Sequence, residues 1–93
     1  MSRPRGRWQL DVRPRAERQL ARLPEKIAAA AAEFITGPIL DNPYRVGRPL
    51  RDEYAGQYSA RRGRDWRVRY RIAEDTHTVI VLDISHRSDT YGT

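Results

Sequence analysis

From Trp66 to Ile72 the chain reads WRVRYRI, and apolar and cationic side chains alternate without a break: Trp66, Val68, Tyr70 and Ile72 against Arg67, Arg69 and Arg71. A strand sends successive side chains to opposite faces, so this stretch commits the fold to a sheet with one buried face and one cationic face. The remaining elements have to cover the aromatic side.

Trp8, Leu10 and Val12 alternate with Gln9 and Asp11, which predicts a short N-terminal strand, with residues 1–7 as a mobile tail before it. Pro14 suits the first turn of a helix, and Ala16, Leu20 and Leu23 follow at helical spacing. Pro24 breaks that pattern and opens a second helix with Ile27, Ala31, Phe34 and Ile35 on one stripe, which Gly37 and Pro38 are expected to stop. The segment PILDNPYRVGRPL, Pro38 to Leu50, has no period and reads as a loop. Three strands follow, over about Gly56 to Arg62, Asp65 to Ala73 and Thr78 to Ser85, with gaps short enough for hairpins. The expectation is one α+β domain over residues 1–93: an N-terminal strand, an αα-hairpin and a three-stranded antiparallel meander, with the helices packed on one face of the sheet.

Directly paired residues share a face, so the register of the hairpins can be read from parity. For Tyr58 and Ala60 to join the buried face they must oppose Tyr70 and Val68, which sets Arg61 opposite Arg67 and Ser59 opposite Arg69. On the other hairpin, Ile80, Leu82 and Ile84 match Ile72, Tyr70 and Val68, so Asp83 falls opposite Arg69 and Ser85 opposite Arg67. Arg69 then has an acidic neighbour. Extending the last strand brings Arg87 onto the same face, so Arg61, Arg67 and Arg87 converge there, while Arg71 serves solubility.

The chain carries eighteen basic residues, all arginine except Lys26, and a net charge of +6. Arginine holds its charge at any working pH and matches phosphate bidentately, which points first to nucleic acid and then to an acidic protein. There is no cysteine, so neither a disulfide nor a thiol nucleophile is available. No Walker loop and no GxGxxG appears, and His77 and His86 lack metal-ligand spacing, so neither a metal nor a small-molecule cofactor is expected. No apolar run is long enough to cross a bilayer, and no apolar segment follows the basic MSRPRGR, so a cytoplasmic protein without membrane attachment is expected. The chemistry left to arginine, Tyr91 and His86 is cleavage of RNA, in which the 2′-hydroxyl attacks the neighbouring phosphorus and fixed cations stabilise the charge that develops. Imidazole ordinarily titrates nearest neutrality, which makes His86 the best-matched proton carrier, although strand parity points it toward the core.

The stretches GQYSARRGRDWRVRYRI and VLDISHRSDTY, with Pro49 and Leu50 ahead of them, resemble the RelE/ParE superfamily of toxins from bacterial type II toxin–antitoxin modules. The resemblance covers most of the chain. It implies a RelE-like fold, a cognate antitoxin that silences the toxin and, for the RelE branch, a metal-independent endoribonuclease that cuts mRNA on the ribosome and so inhibits translation. It also implies site residues: Arg61 on the Gly-x-Tyr strand, Arg67 on the central strand, and Arg87 and Tyr91 in the terminal motif that begins at His86, with Ser59 where family members often carry lysine. Arg48 stands at the place of a loop glutamate that serves as base in one branch. Arg48, Arg51, Arg62 and Arg64 are expected to join Ser59 in binding RNA and ribosome. Two other readings stay open: a ParE-like poison of DNA gyrase, and a non-catalytic basic module that binds RNA or protein.

Overall fold

The computed structural model describes residues 7–86; Arg87, Tyr91 and the first six residues of the expected tail lie outside them. Strand β1 (Gln9–Val12) leads into helices α1 (Pro14–Arg22) and α2 (Glu25–Phe34). A short helix α3 (Pro43–Val46) and a two-residue strand β2 (Arg48–Pro49) precede the meander of β3 (Gln57–Arg62), β4 (Trp66–Ala73) and β5 (Thr78–His86). The sheet runs β1-β5-β4-β3-β2, with β1 parallel to β5 and the other pairs antiparallel. The fold is therefore α+β, as its alternation patterns require.

Two parts of the segment before β3 differ from expectation. Gly37 and Pro38 do not stop the second helix; the chain winds on through a π-helical turn, Ile35–Ile39. The wider turn accommodates Pro38, which has no N–H to donate and whose ring would meet a carbonyl in an α-helix. Within the supposed loop, Pro43 opens α3, and the Asn42 side chain caps it by accepting from the Arg45 N–H at 3.3 Å. Arg48 then pairs with Ser59 and Pro49 with Tyr58, adding an edge strand too short to show a period.

The core lies between the helices and one sheet face: Ala16, Leu23, Ala31, Phe34, Ile35 and Ile39 meet Trp66, Val68, Tyr70, Val79, Val81 and Ile84. The β3–β4 register follows parity, with Tyr58 opposite Tyr70, Ala60 opposite Val68 and Arg61 opposite Arg67. On β5 the agreement holds for Ile84, Asp83 and Ser85, then breaks. A bulge between the Arg69 and Tyr70 pairs sets Val81 opposite Tyr70 and Val79 opposite Ile72. Val79 and Val81 are buried in place of Ile80 and Leu82, because the run VIVL has no polar residue to favour one parity and the extra bulge residue reverses the faces.

Beyond Val81 the outer edge of β5 is no longer covered by β1, and α1 takes over. Gln19 accepts the Ile84 N–H at 2.7 Å and donates to Asp83 Oδ1 at 2.9 Å, while Arg15 Nε lies 3.2 Å from the same oxygen. Asp83 thus joins α1 to the sheet. Asp83→Ala removes a charged partner from Gln19, Arg15 and Arg69, and is expected to cost about 1–3 kcal/mol in a urea melt. A change below about 0.5 kcal/mol would mean that the junction is held by apolar packing alone.

Candidate nucleic-acid interface

The sheet face turned away from the core carries a cleft of about 440 Å³ lined by Val46, Arg48, Leu50, Ser59, Arg61 and Arg67. Strand pairing explains why these residues meet. Arg48, Ser59 and Arg69 form one rung across β2, β3 and β4, and Arg61 and Arg67 form the next. Successive rungs on one face are about 7 Å apart and neighbouring strands about 4.8 Å. Three arginines and Ser59 therefore share the cleft with the apolar Val46 and Leu50. Among the described residues, no carboxylate lies within ion-pair distance of Arg48, Arg61 or Arg67. Like charges directly opposed weaken a sheet, so the Arg61–Arg67 pair is a local cost that an anion in the cleft would relieve.

Arg69, on the same face, is already engaged. Its Nη1 donates to Gln57 Oε1 at 2.8 Å, and its Nη2 lies 3.8 Å from Asp83 Oδ2. That separates one neutralised arginine from three open ones, the division that parity implies for Arg69, Arg61 and Arg67.

The close approach of β2 depends on Gly47. Tyr70 is fully buried and its hydroxyl donates to the Pro43 carbonyl at 2.7 Å. Burial pushes the phenol pKa well up, the neighbouring Tyr58 adds to the shift and a backbone hydrogen bond from Gly47 opposes it, so the hydroxyl stays a donor. A Cβ at Gly47 would overlap the Tyr70 hydroxyl and stand 3.2 Å from Tyr58 Cβ. The missing side chain lets β2 pass over Tyr70 and bring Arg48 to the cleft.

Several residues read from the sequence stand elsewhere. Arg62 pairs with Trp66, and its guanidinium lies 5.7 Å from the Phe34 ring centre, so it covers the helix side rather than the cleft. Arg51 and Arg64 are exposed but do not line the cleft. His86 also pairs with Trp66 and shares its helix-side face, opposite that of Arg67. Arg48 moves from loop to strand. Val46 was not singled out in the sequence, and Leu50 only as part of the Pro-Leu segment of the family resemblance; each stands two residues from Arg48.

A family model described as the ParE toxin of the type II toxin–antitoxin system parDE matches residues 10–91. The chain belongs to this toxin family. The toxin is 54% identical to Toxin RelE of Mycobacterium tuberculosis over 76 residues, covering 82% of this chain and 77% of that protein. It is 49% identical to Toxin RelG of the same organism, again over 76 residues, covering 82% and 86%. Among solved structures, the toxin–antitoxin complex RelBE2 of M. tuberculosis contains a chain that superposes with a TM-score of 0.84 at 43% identity, covering 89% of this chain and 94% of that one. The isolated E. coli RelE toxin shares the fold at a TM-score of 0.71 and 19% identity, covering 91% and 92%. The toxin is thus a RelE-like member of the RelE/ParE superfamily. Among its described residues no helix is long and apolar enough to cross a membrane.

Proposed function

We propose that the toxin is a ribosome-dependent mRNA endoribonuclease held silent by a cognate antitoxin. The observation that carries this reading is the cleft where Arg48, Arg61 and Arg67 converge without acidic partners among the described residues. In the proposed reaction the 2′-hydroxyl of one nucleotide attacks the adjacent phosphorus. Its proton passes to solvent water, the bond to the 5′-oxygen of the next nucleotide breaks, and that oxygen takes a proton from solvent. The products are a 2′,3′-cyclic phosphate and a 5′-hydroxyl. Guanidinium groups fixed around the phosphate stabilise the five-coordinate species more than the ground state, which accelerates the step. Arg87 and Tyr91 complete the set on the strength of the family resemblance, with Tyr91 stacking on a base. Because His86 shares a face with Trp66, our reading gives it a packing role.

Arg51 and Arg64 supply ribosome contacts whose strength falls steeply with salt, since each phosphate contact releases counterions. An acidic antitoxin segment over the cleft would silence the enzyme, because guanidinium binds carboxylate as readily as phosphate. The proposed site of action is the cytoplasm.

A second reading, poisoning of DNA gyrase, has one observation in its favour: the matching family model is described by ParE toxins. Product chemistry separates the two. Primer extension on mRNA from expressing cells, with analysis of the new ends, should reveal cuts bearing 2′,3′-cyclic or 3′-phosphate. Gyrase-linked DNA breaks with intact mRNA would establish the second reading instead, and neither product would leave a binding module.

A further inference from the structure

Beside the arginine cleft, the same sheet face carries an exposed aromatic ring with a cation behind it. Tyr54 closes the 3-10 turn Asp52–Tyr54 and leaves 46% of its surface in solvent. The Arg69 guanidinium carbon lies over the ring, 5.1 Å from its centre. Arg69 is itself fixed by Gln57 and Asp83, so the ring rests on a support that does not move freely. The turn is also tightly set: Asp52 takes a left-handed φ of 55°, the Tyr54 N–H donates to the Arg51 carbonyl and the Ala55 N–H to that of Asp52, both at 3.0 Å.

The position of this pair bears on its use. Arg69 stands in the rung of Ser59 and Arg48, both of which line the cleft, and one rung from Arg61 and Arg67. A flat aromatic surface next to a row of cations is the chemistry that single-stranded RNA recognises, with phosphates on the cations and an unpaired base on the ring. A peptide carboxylate would use the arginines and gain little from the ring. We infer that Tyr54, backed by Arg69, is the platform on which an unpaired nucleobase stacks beside the phosphate held by Arg48, Arg61 and Arg67. This rests on the ribonuclease reading and adds to it a substrate-positioning residue.

The test is single-turnover cleavage of mRNA on programmed ribosomes by wild type, Tyr54→Ala, Tyr54→Phe, Tyr54→Trp and Arg67→Ala, with thermal melts and antitoxin binding measured on the same proteins. Tyr54→Ala should raise the half-saturating toxin concentration roughly 5- to 100-fold and flatten any preference for purine over pyrimidine beside the cut. Tyr54→Phe and Tyr54→Trp should stay close to wild type, and all Tyr54 variants should melt like it. Unchanged half-saturation and base preference in Tyr54→Ala would overturn the inference. Lost antitoxin binding with cleavage intact would also overturn it and assign the ring to the antitoxin. If wild type cleaves no better than Arg67→Ala, the ribonuclease reading fails first, and the platform with it.

Discussion

Arg67→Ala is expected to abolish toxicity while leaving the protein as stable as wild type, or slightly more so. The two halves of that result have separate causes. Arg67 is exposed, directly opposite Arg61, and has no ion-pair partner among the described residues. Removing it deletes a like-charge contact and takes nothing from the core, so the melt should hold or rise by up to about 0.5 kcal/mol. At the reacting phosphate the same change removes a fixed cation aimed at developing charge, a loss on the order of 100- to 1000-fold in rate. Growth on induction, cleavage kinetics and a melt on the purified variant check both halves. A variant as toxic as wild type at equal expression would show that Arg67 is not central; a large loss of stability would show that it supports the fold.

Gly47→Ala should do the opposite and act through the fold. The new methyl meets the Tyr70 hydroxyl, which is fully buried and bonded to Pro43, and Tyr58 Cβ stands behind. Either the hydrogen bond is lost or β2 is pushed off the sheet. Overpacking together with a strained buried hydroxyl is expected to cost about 2–4 kcal/mol and to lower the melting midpoint by roughly 10 °C or more. Gly47→Ala combined with Tyr70→Phe should recover part of the loss but not all of it, since the hydroxyl overlap goes while the ring Cζ, 2.9 Å from the added methyl, still has to give way. Without such recovery, the close contact would not be the cause. Gly47 has an extended backbone, φ −99° and ψ 163°, so strain at the glycine itself does not enter.

The alternation from Trp66 to Ile72 made β4, its partner β3 and the Arg61–Arg67 pair legible, because a buried face fixes register residue by residue. The bulge in β5 was not legible, since Val79 to Leu82 are all apolar and either parity fills the core. Strand β2 escaped notice because two residues, one of them proline, show no period; with it went the placement of Arg48 in the cleft. Arg62 looked like another open cation until Phe34 lay under it. Such long-range contacts leave no trace in spacing. The tie of Gln19 to Asp83 and Ile84 is of the same kind.

The strand order carries a consequence for when the protein can fold. β5, the last of the described strands, lies between β1, the first of them, and β4. Until Thr78 to His86 are synthesised, β1 has no partner and Val68 and Tyr70 lack the neighbours Ile84 and Val81. Pairings of such high sequence separation form late and slowly, because loop closure must come before the contacts that compensate it. The arginines of β3 and β4 are translated before β5, yet the sheet that carries them closes only once β5 has been made. A partly translated toxin is thus an unassembled set of cations, and its sheet takes shape only after Thr78 to His86 have been made.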